Sequence, residues 1–219
     1  MIQTKQSILW KIYSRLWINK KFCHFSESII DYSKDIFISP CDAKIQFQWD
    51  INNEWKLIWK HGKTVCLQRI YWDKTKSFKW YSYLSLYLSP ANRHFFVAPE
   101  SWKITYINWH NWDAKIPYVM ALEKYWIPVF REYIEHNAAM WYTIKTEFTK
   151  LWMIALWSLN VNHIVSDYSI WDTIQRWQKI GHFLMGSGII LLYPSHREAI
   201  KKVWDAVNIW EWIIKKNRE

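Results

Sequence analysis

Ser187 lies between Gly186 and Gly188 in the stretch Gly181-His-Phe-Leu-Met-Gly186-Ser187-Gly188-Ile-Ile-Leu-Leu-Tyr-Pro194, with strongly apolar residues on both sides. A serine so placed can attack the carbonyl of the residue before it and cut its own chain. The new N-terminus can then become a pyruvoyl group, a carbonyl electron sink made from the protein itself. By itself a Gly-Ser pair is an ordinary turn, so its meaning depends on polar residues elsewhere. Two upstream segments supply them. Ile38-Ser-Pro40-Cys-Asp42-Ala-Lys-Ile sets a carboxylate after a proline-fixed turn and before a strand, where Asp commonly caps or closes the turn. Leu86-Tyr-Leu-Ser-Pro90-Ala-Asn-Arg-His94-Phe-Phe-Val-Ala-Pro99 leaves a strand for a proline-bounded loop with one histidine. Taken alone, that histidine reads more readily as a hydrogen-bonded structural residue than as a base. His136, His163 and His182 show no H-x-x-x-H or carboxylate spacing suited to a metal. No Walker loop, Rossmann fingerprint or nucleophile elbow is present.

These groups need elements to hold them, and the pattern from Ile36 onward is of short β-type runs separated by turn signals. Strands are predicted at Ile36–Ile38, Lys44–Gln48, Lys56–Trp59, Thr64–Arg69, Lys79–Leu88, Lys103–Ile107, Trp141–Glu147, Trp152–Leu156, Phe183–Tyr193 and Trp212–Lys215. Residues 118–136 hold the best internal helical stretch, around Val119–Tyr125, interrupted by Pro128. The expected fold is α+β but predominantly β, an antiparallel sandwich or barrel-like core with short N-terminal helices. Residues 1–35 read as a basic helical segment and 36–219 as one domain. Ile170-Trp-Asp-Thr-Ile-Gln-Arg-Trp177-Gln and Val203-Trp-Asp-Ala-Val-Asn-Ile-Trp210-Glu repeat one hairpin pattern. Two copies do not make a solenoid, which needs several.

At 219 residues the chain is large enough to bury a real core. Cys23, Cys41 and Cys66 are odd in number and form no C-x-x-C pair, which suits reduced thiols in a cytosolic compartment. No apolar run reaches the roughly 18 residues that cross a bilayer, and no signal-peptide pattern opens the chain. The net charge of +10 favours an anionic partner, nucleic acid or an acidic membrane surface. Residues 8–21 mix apolar and basic side chains as an interfacial helix would, and equally as a solvated helix packed on its own domain.

The chain has 19 Trp and 4 Gly, whereas ordinary usage of about 7% would give roughly 15 glycines. The tryptophans fall at turns, as in Asn111-Trp-Asp, Tyr71-Trp-Asp-Lys and the two hairpins. Such positions often need φ > 0, which suits glycine and penalises a bulky aromatic. The pattern is that of UGA codons decoded as glycine in the source organism and written here as tryptophan. The alternative is a Trp-rich surface that binds lipid headgroups or stacks on bases.

Taken together, the segments resemble the phosphatidylserine decarboxylase proenzymes over about residues 36–215. Ser39-Pro-Cys-Asp42-Ala-Lys-Ile is similar to the family's S-P-x-D-G-x-I, with Ala43 at the usual Gly. Leu88-Ser-Pro-Ala-Asn-Arg-His94 and Ala98-Pro-Glu-Ser-Trp102 resemble L-S-P-x-(D/N)-x-H and P-x-x-G. Asn137 to Glu147 and Leu156-Trp-Ser-Leu-Asn-Val161 resemble the central N…T-E and V-G-(A/S)-x-x-V strands. Trp171-Asp…Trp177-Gln-x-x-Gly181-x-Phe183-x-x-Gly186-Ser187 resembles G-D…K-G-x-x-x-G-x-F-x-x-G-S. At Trp80, Trp102, Trp157, Trp171 and Trp177 the family expects Gly.

The resemblance implies that Ser187 Oγ attacks the Gly186 carbonyl, with His94 as base and Asp42 orienting the imidazole, as in a Ser-His-Asp arrangement. Elimination would then separate 1–186 from 187–219 and leave a pyruvoyl group at residue 187. That cofactor would form a Schiff base with the substrate amine and accept the electrons left as CO2 departs, with His94 returning a proton to carbon. No metal is implied. The partners implied are an anionic membrane lipid and the chain's own small fragment, with a homo-oligomer possible and no nucleic acid expected. The place implied is the cytoplasmic face of the cell membrane, peripherally bound. The chain departs from the family at Val97, where many members have a second histidine, at Gly188, where Thr or Arg is more usual, and at Ala43 and Thr149, where glycine is expected. The expected reaction is conversion of phosphatidylserine to phosphatidylethanolamine. Alternatives are a decarboxylase of another amino-acid headgroup, an inactive relative, or a basic β-barrel that binds single-stranded nucleic acid.

Overall fold

The computed structural model describes residues 36–51, 56–58, 63–67, 78–89, 92–110, 122, 127, 129–147, 149–157, 164–183, 187–209 and 211–216. The basic segment 1–35 and the helix expected around Val119–Tyr125 lie outside the described residues. In chain order the strands are β1 (Ile36–Ile38), β2 (Ala43–Asp50), β3 (Lys56–Ile58), β4 (Thr64–Cys66), β5 (Tyr81–Leu88), β6 (Phe95–Val97) and β7 (Trp102–His110). A helix, α1 (Phe130–His136), precedes β8 (Ala139–Lys145), β9 (Lys150–Trp157), β10 (Ile164–Ser166), β11 (Thr173–Ile174) and β12 (Lys179–Phe183). The chain continues through β13 (Ser187–Pro194), β14 (Arg197–Ala199), β15 (Ala206–Val207) and β16 (Trp212–Lys216).

The predominantly β expectation holds. An antiparallel sheet of eight strands runs in the order β11-β7-β8-β9-β13-β5-β2-β15. Two three-stranded sheets, β1-β16-β14 and β10-β12-β6, and the β3-β4 hairpin accompany it. The centre of the large sheet is apolar on both faces because both faces are covered. Alternation puts Leu84, Leu86, Ile189, Leu191, Met153 and Ala155 in one core, with Phe96, Ile180 and Phe183 of the β10-β12-β6 sheet. Tyr83, Tyr87, Ile190, Leu192, Ile154 and Leu156 enter the other core, with Phe130, Tyr133 and Ile134 of α1. This explains the unbroken Ile-Ile-Leu-Leu run of β13: every residue of it has a core to enter.

The structure corrects one element prediction. The strand expected over Phe183–Tyr193 is two strands in different sheets, β12 and β13. Gly186-Ser187-Gly188 interrupts the apolar run there, but periodicity cannot see a change of sheet. Within the helical stretch read over residues 118–136, the structure describes one helix, α1 at Phe130–His136. Both repeated Trp-Asp units do open short strands: Asp172 leads into β11 and Asp205 into β15. Those two strands pair with β7 and β2, at opposite edges of the large sheet.

Candidate active site

Asp42 follows the Ser39-Pro40 turn, which is closed by the Ser39 hydroxyl donating to the Cys41 carbonyl (2.7 Å). The turn is tied into the fold by Ser39 N–H to Glu211 O (2.7 Å) and Val97 N–H to Pro40 O (2.8 Å). Proline cannot donate a backbone hydrogen bond, so this turn is held by its carbonyls and by the serine. The Asp42 side chain is buried. Its Oδ1 accepts from Arg93 Nη2 (2.9 Å) and from the Ile209 N–H (2.8 Å), and its Oδ2 accepts from Arg93 Nε. The two-pronged guanidinium contact is the geometry in which arginine binds carboxylates most strongly. Cys41 beside it is fully buried, and that burial, with the Asp42 charge, pushes its thiol well up, so it is not a thiolate nucleophile.

Arg93 belongs to the loop that leaves β5. Asn92 folds that loop back: its N–H reaches Ser89 O (2.9 Å), and its Oδ1 accepts from the Ser89 N–H (2.8 Å) and hydroxyl (2.7 Å). His94 follows, with 2% of its surface exposed. Its Nδ1 lies 2.8 Å from the Asn92 carbonyl. A carbonyl only accepts, so Nδ1 carries the hydrogen, and in the neutral ring Nε2 is the basic nitrogen. Burial lowers the imidazole below its ordinary value against the opposing pull of the Asn92 carbonyl. The ring is therefore neutral at neutral pH, the state in which a base can take a proton.

The structure brings Ser187 to this loop along the backbone. Ser187 is the first residue of β13 and pairs with Leu88 on β5 and with Trp157 on β9. On the other side of the junction, the Phe183 N–H donates to the His94 carbonyl (2.7 Å). Gly186 lies outside the described residues; on either side of it, Phe183 bonds to the His94 carbonyl and Ser187 pairs with the strand that leads into the His94 loop. Gly188 leaves room for α1: a Cβ there would lie 3.0 Å from the Tyr133 hydroxyl and 3.1 Å from the Leu86 carbonyl. Tyr133 donates to Leu156 O (3.2 Å), and its burial pushes the phenol far up. The departure from the family at Gly188 thus has a packing reason.

Asp42 and His94 do not meet as expected. The carboxylate is taken up by Arg93 and Ile209, and the imidazole is oriented by the Asn92 carbonyl. Asp42 therefore positions the loop that bears the histidine. A further pair had no signal in the sequence: Arg176 donates to both oxygens of Glu100 (2.8 and 2.9 Å) in a buried contact spanning 76 residues. Its backbone N–H also meets Ser101 Oγ (2.8 Å). This clamp fixes the turn after β6 to the turn before β12, the two strands flanking the His94 loop and the junction. His182 on β12 pairs with Phe95; burial and Lys179 lower it, and Asp167 opposes. No cluster of three or more metal-ligating side chains occurs among the described residues.

The family profile described as phosphatidylserine decarboxylase matches residues 18–211. This chain belongs to the phosphatidylserine decarboxylase family. It is similar to the phosphatidylserine decarboxylase proenzyme of Fusobacterium nucleatum subsp. nucleatum, with 27% identity over 178 residues. The match takes in 79% of this chain and 57% of that relative, so the chain spans little more than half of the relative's length. The family match includes Asp42, His94 and the Gly186-Ser187 junction.

Proposed function

We propose that this chain is a self-processing proenzyme that cuts itself between Gly186 and Ser187 and then converts phosphatidylserine to phosphatidylethanolamine and carbon dioxide. The observation that carries the reading is the double anchoring of the junction, with Phe183 bonded to the His94 carbonyl and Ser187 in register with Leu88. The serine hydroxyl attacks the Gly186 carbonyl, and the C–N bond breaks as the acyl group passes to oxygen. His94 takes the hydroxyl proton and returns one to the freed nitrogen. Elimination then breaks the C–O bond: the α-proton goes to a base and fragment 1–186 leaves as a carboxylate. The unsaturated residue 187 takes up water and loses ammonia, becoming an α-keto group.

The residues present suit such a group. β13 is paired on both sides, and β14, β15 and β16 of the same fragment pair with each other or with β1 and β2, so 187–219 stays bound after cleavage. A pyruvoyl group at 187 would supply the carbonyl that draws off the electrons left by departing carbon dioxide. The chain's own part is to hold that position against the His94 loop and to keep a neutral imidazole beside it for proton transfer. The charge of +10 supports a peripheral site on anionic lipid at the cytoplasmic face, each cation near such a surface adding about 1 kcal/mol.

The test is intact-mass analysis of the purified protein. Two fragments are expected, the smaller starting with pyruvoyl and forming an adduct with a carbonyl reagent, while Ser187→Ala stays whole. An unbroken wild-type chain without adduct refutes the proposal.

A further inference from the structure

Among the described residues, non-glycine backbone enters the left-handed region at four places, and all four are tryptophan: Trp80 (φ 72°), Trp171 (φ 78°), Trp177 (φ 72°) and Trp204 (φ 78°). Tryptophan is 19 of 219 residues, so its holding all four places needs a cause. Each is the third residue of a four-residue turn closed by a backbone hydrogen bond. The closing bonds run from Tyr81 N–H to Phe78 O (3.1 Å), Asp172 to Ser169 (3.3 Å), Gln178 to Gln175 (3.0 Å) and Asp205 to Lys202 (3.1 Å). The second residues, Lys79, Ile170, Arg176 and Val203, are not at positive φ. A turn with positive φ at its third residue alone is type II, and that residue is ordinarily glycine, or else asparagine. A side chain there brings Cβ against the following carbonyl.

Three of the turns share a second feature. The side chain of the fourth residue accepts from the N–H of the first: Asp172 from Ser169 (2.6 Å), Gln178 from Gln175 (3.0 Å) and Asp205 from Lys202 (2.8 Å). A fifth pair of flanking residues repeats both features. Glu211 N–H reaches Asn208 O (3.0 Å), and Glu211 Oε2 accepts from the Asn208 N–H (3.0 Å). Position 210, third between them, is again tryptophan. The rings do not explain the choice, since Trp80, Trp171 and Trp204 are 71%, 64% and 54% exposed. The described glycines, Gly181 and Gly188, are both in strands. Among the described turns, glycine's usual seat is taken by tryptophan.

We infer that the native polypeptide carries glycine at positions 80, 171, 177, 204 and 210, each encoded by UGA and inserted by a glycine-charged tRNA that reads that codon. Assigning UGA to tryptophan, the amino acid of the neighbouring UGG codon, turns each of these glycines into an indole. Trp102 and Trp157 fall outside this inference: they lie in β7 and β9 with no left-handed backbone. The inference does not depend on self-cleavage.

The experiment is to read the five codons in the gene and to measure, by mass spectrometry, the peptides spanning these turns in protein from the source organism. UGA at all five codons and peptides of glycine mass are expected. UGG at any of the four left-handed positions, or tryptophan mass in a native peptide across one of them, overturns the inference.

Discussion

Glycine placed at 80, 171 and 204 should stabilise the chain, and the structure sets the size of the gain. Each L-residue held in left-handed backbone costs roughly 1–2 kcal/mol, and glycine gives back roughly 0.5–1 kcal/mol through its freer unfolded state. A net gain of about 1 kcal/mol per turn follows, and the three turns are separate enough to add. The exposed rings lose little on removal, but two of them sit near lysines: Lys79 Nζ is 5.1 Å from the Trp80 ring and Lys103 Nζ 5.4 Å from the Trp171 ring. At about 0.5 kcal/mol for each exposed cation–π contact, the triple replacement should gain about 2 kcal/mol. For a chain of this size that raises the melting temperature by about 4–8 °C. Trp177 is left out because its ring packs against the cluster of Ile38, Phe95, Val97 and Ile209, which offsets the relief of strain. The assay is thermal unfolding followed by circular dichroism, in a Ser187→Ala background so that the proposed self-cleavage does not intervene. The triple Trp→Ala variant keeps the strained backbone and should show no such rise. A triple glycine variant melting at or below the tryptophan form refutes the strain argument.

Three further predictions concern the site. Arg176→Met leaves the Glu100 carboxylate buried without its guanidinium, so a loss of about 3–5 kcal/mol is expected in urea unfolding; an unchanged midpoint would show that the clamp is not structural. Asp42→Asn weakens the hold on Arg93 and Ile209 and should slow appearance of the two fragments at least tenfold on a gel time course, while the variant remains folded by circular dichroism. His94 has a lowered folded pKa, so its stabilising share is complete above the unfolded value of about 6.5 and is lost as pH falls through the folded one. The acid side of the stability profile should flatten in His94→Gln, and the fall of the self-cleavage rate with acidity should disappear with that imidazole.

Much of the sheet could be read locally, because alternation and turn residues are properties of neighbours in the chain. β5 was placed to within two residues at its start, and the repeated Trp-Asp units before β11 and β15 announced one turn used twice. The change of sheet between β12 and β13 was not read, although Gly186-Ser187-Gly188 interrupts the apolar run, because the strand period is the same on either side whichever sheet receives it. α1 lay within the helical stretch read over residues 118–136.

At the site, Ser187, His94 and Asp42 were each ambiguous by residue type, and it was their place in the motifs resembling the family that singled them out. Their partners were another matter. Asp42 joins Arg93, 51 positions away, and Ile209, 167 positions away; Glu100 finds Arg176 at a distance of 76. No period in the sequence encodes contacts of that range, which arise only when strands pair and bury the charged groups together. Chemistry and turn conformation were therefore written into short stretches of the chain. Which imidazole is neutral, which carboxylate is spoken for, and which strands flank the His94 loop were decided by packing, because desolvation and hydrogen-bond geometry exist only in the folded protein.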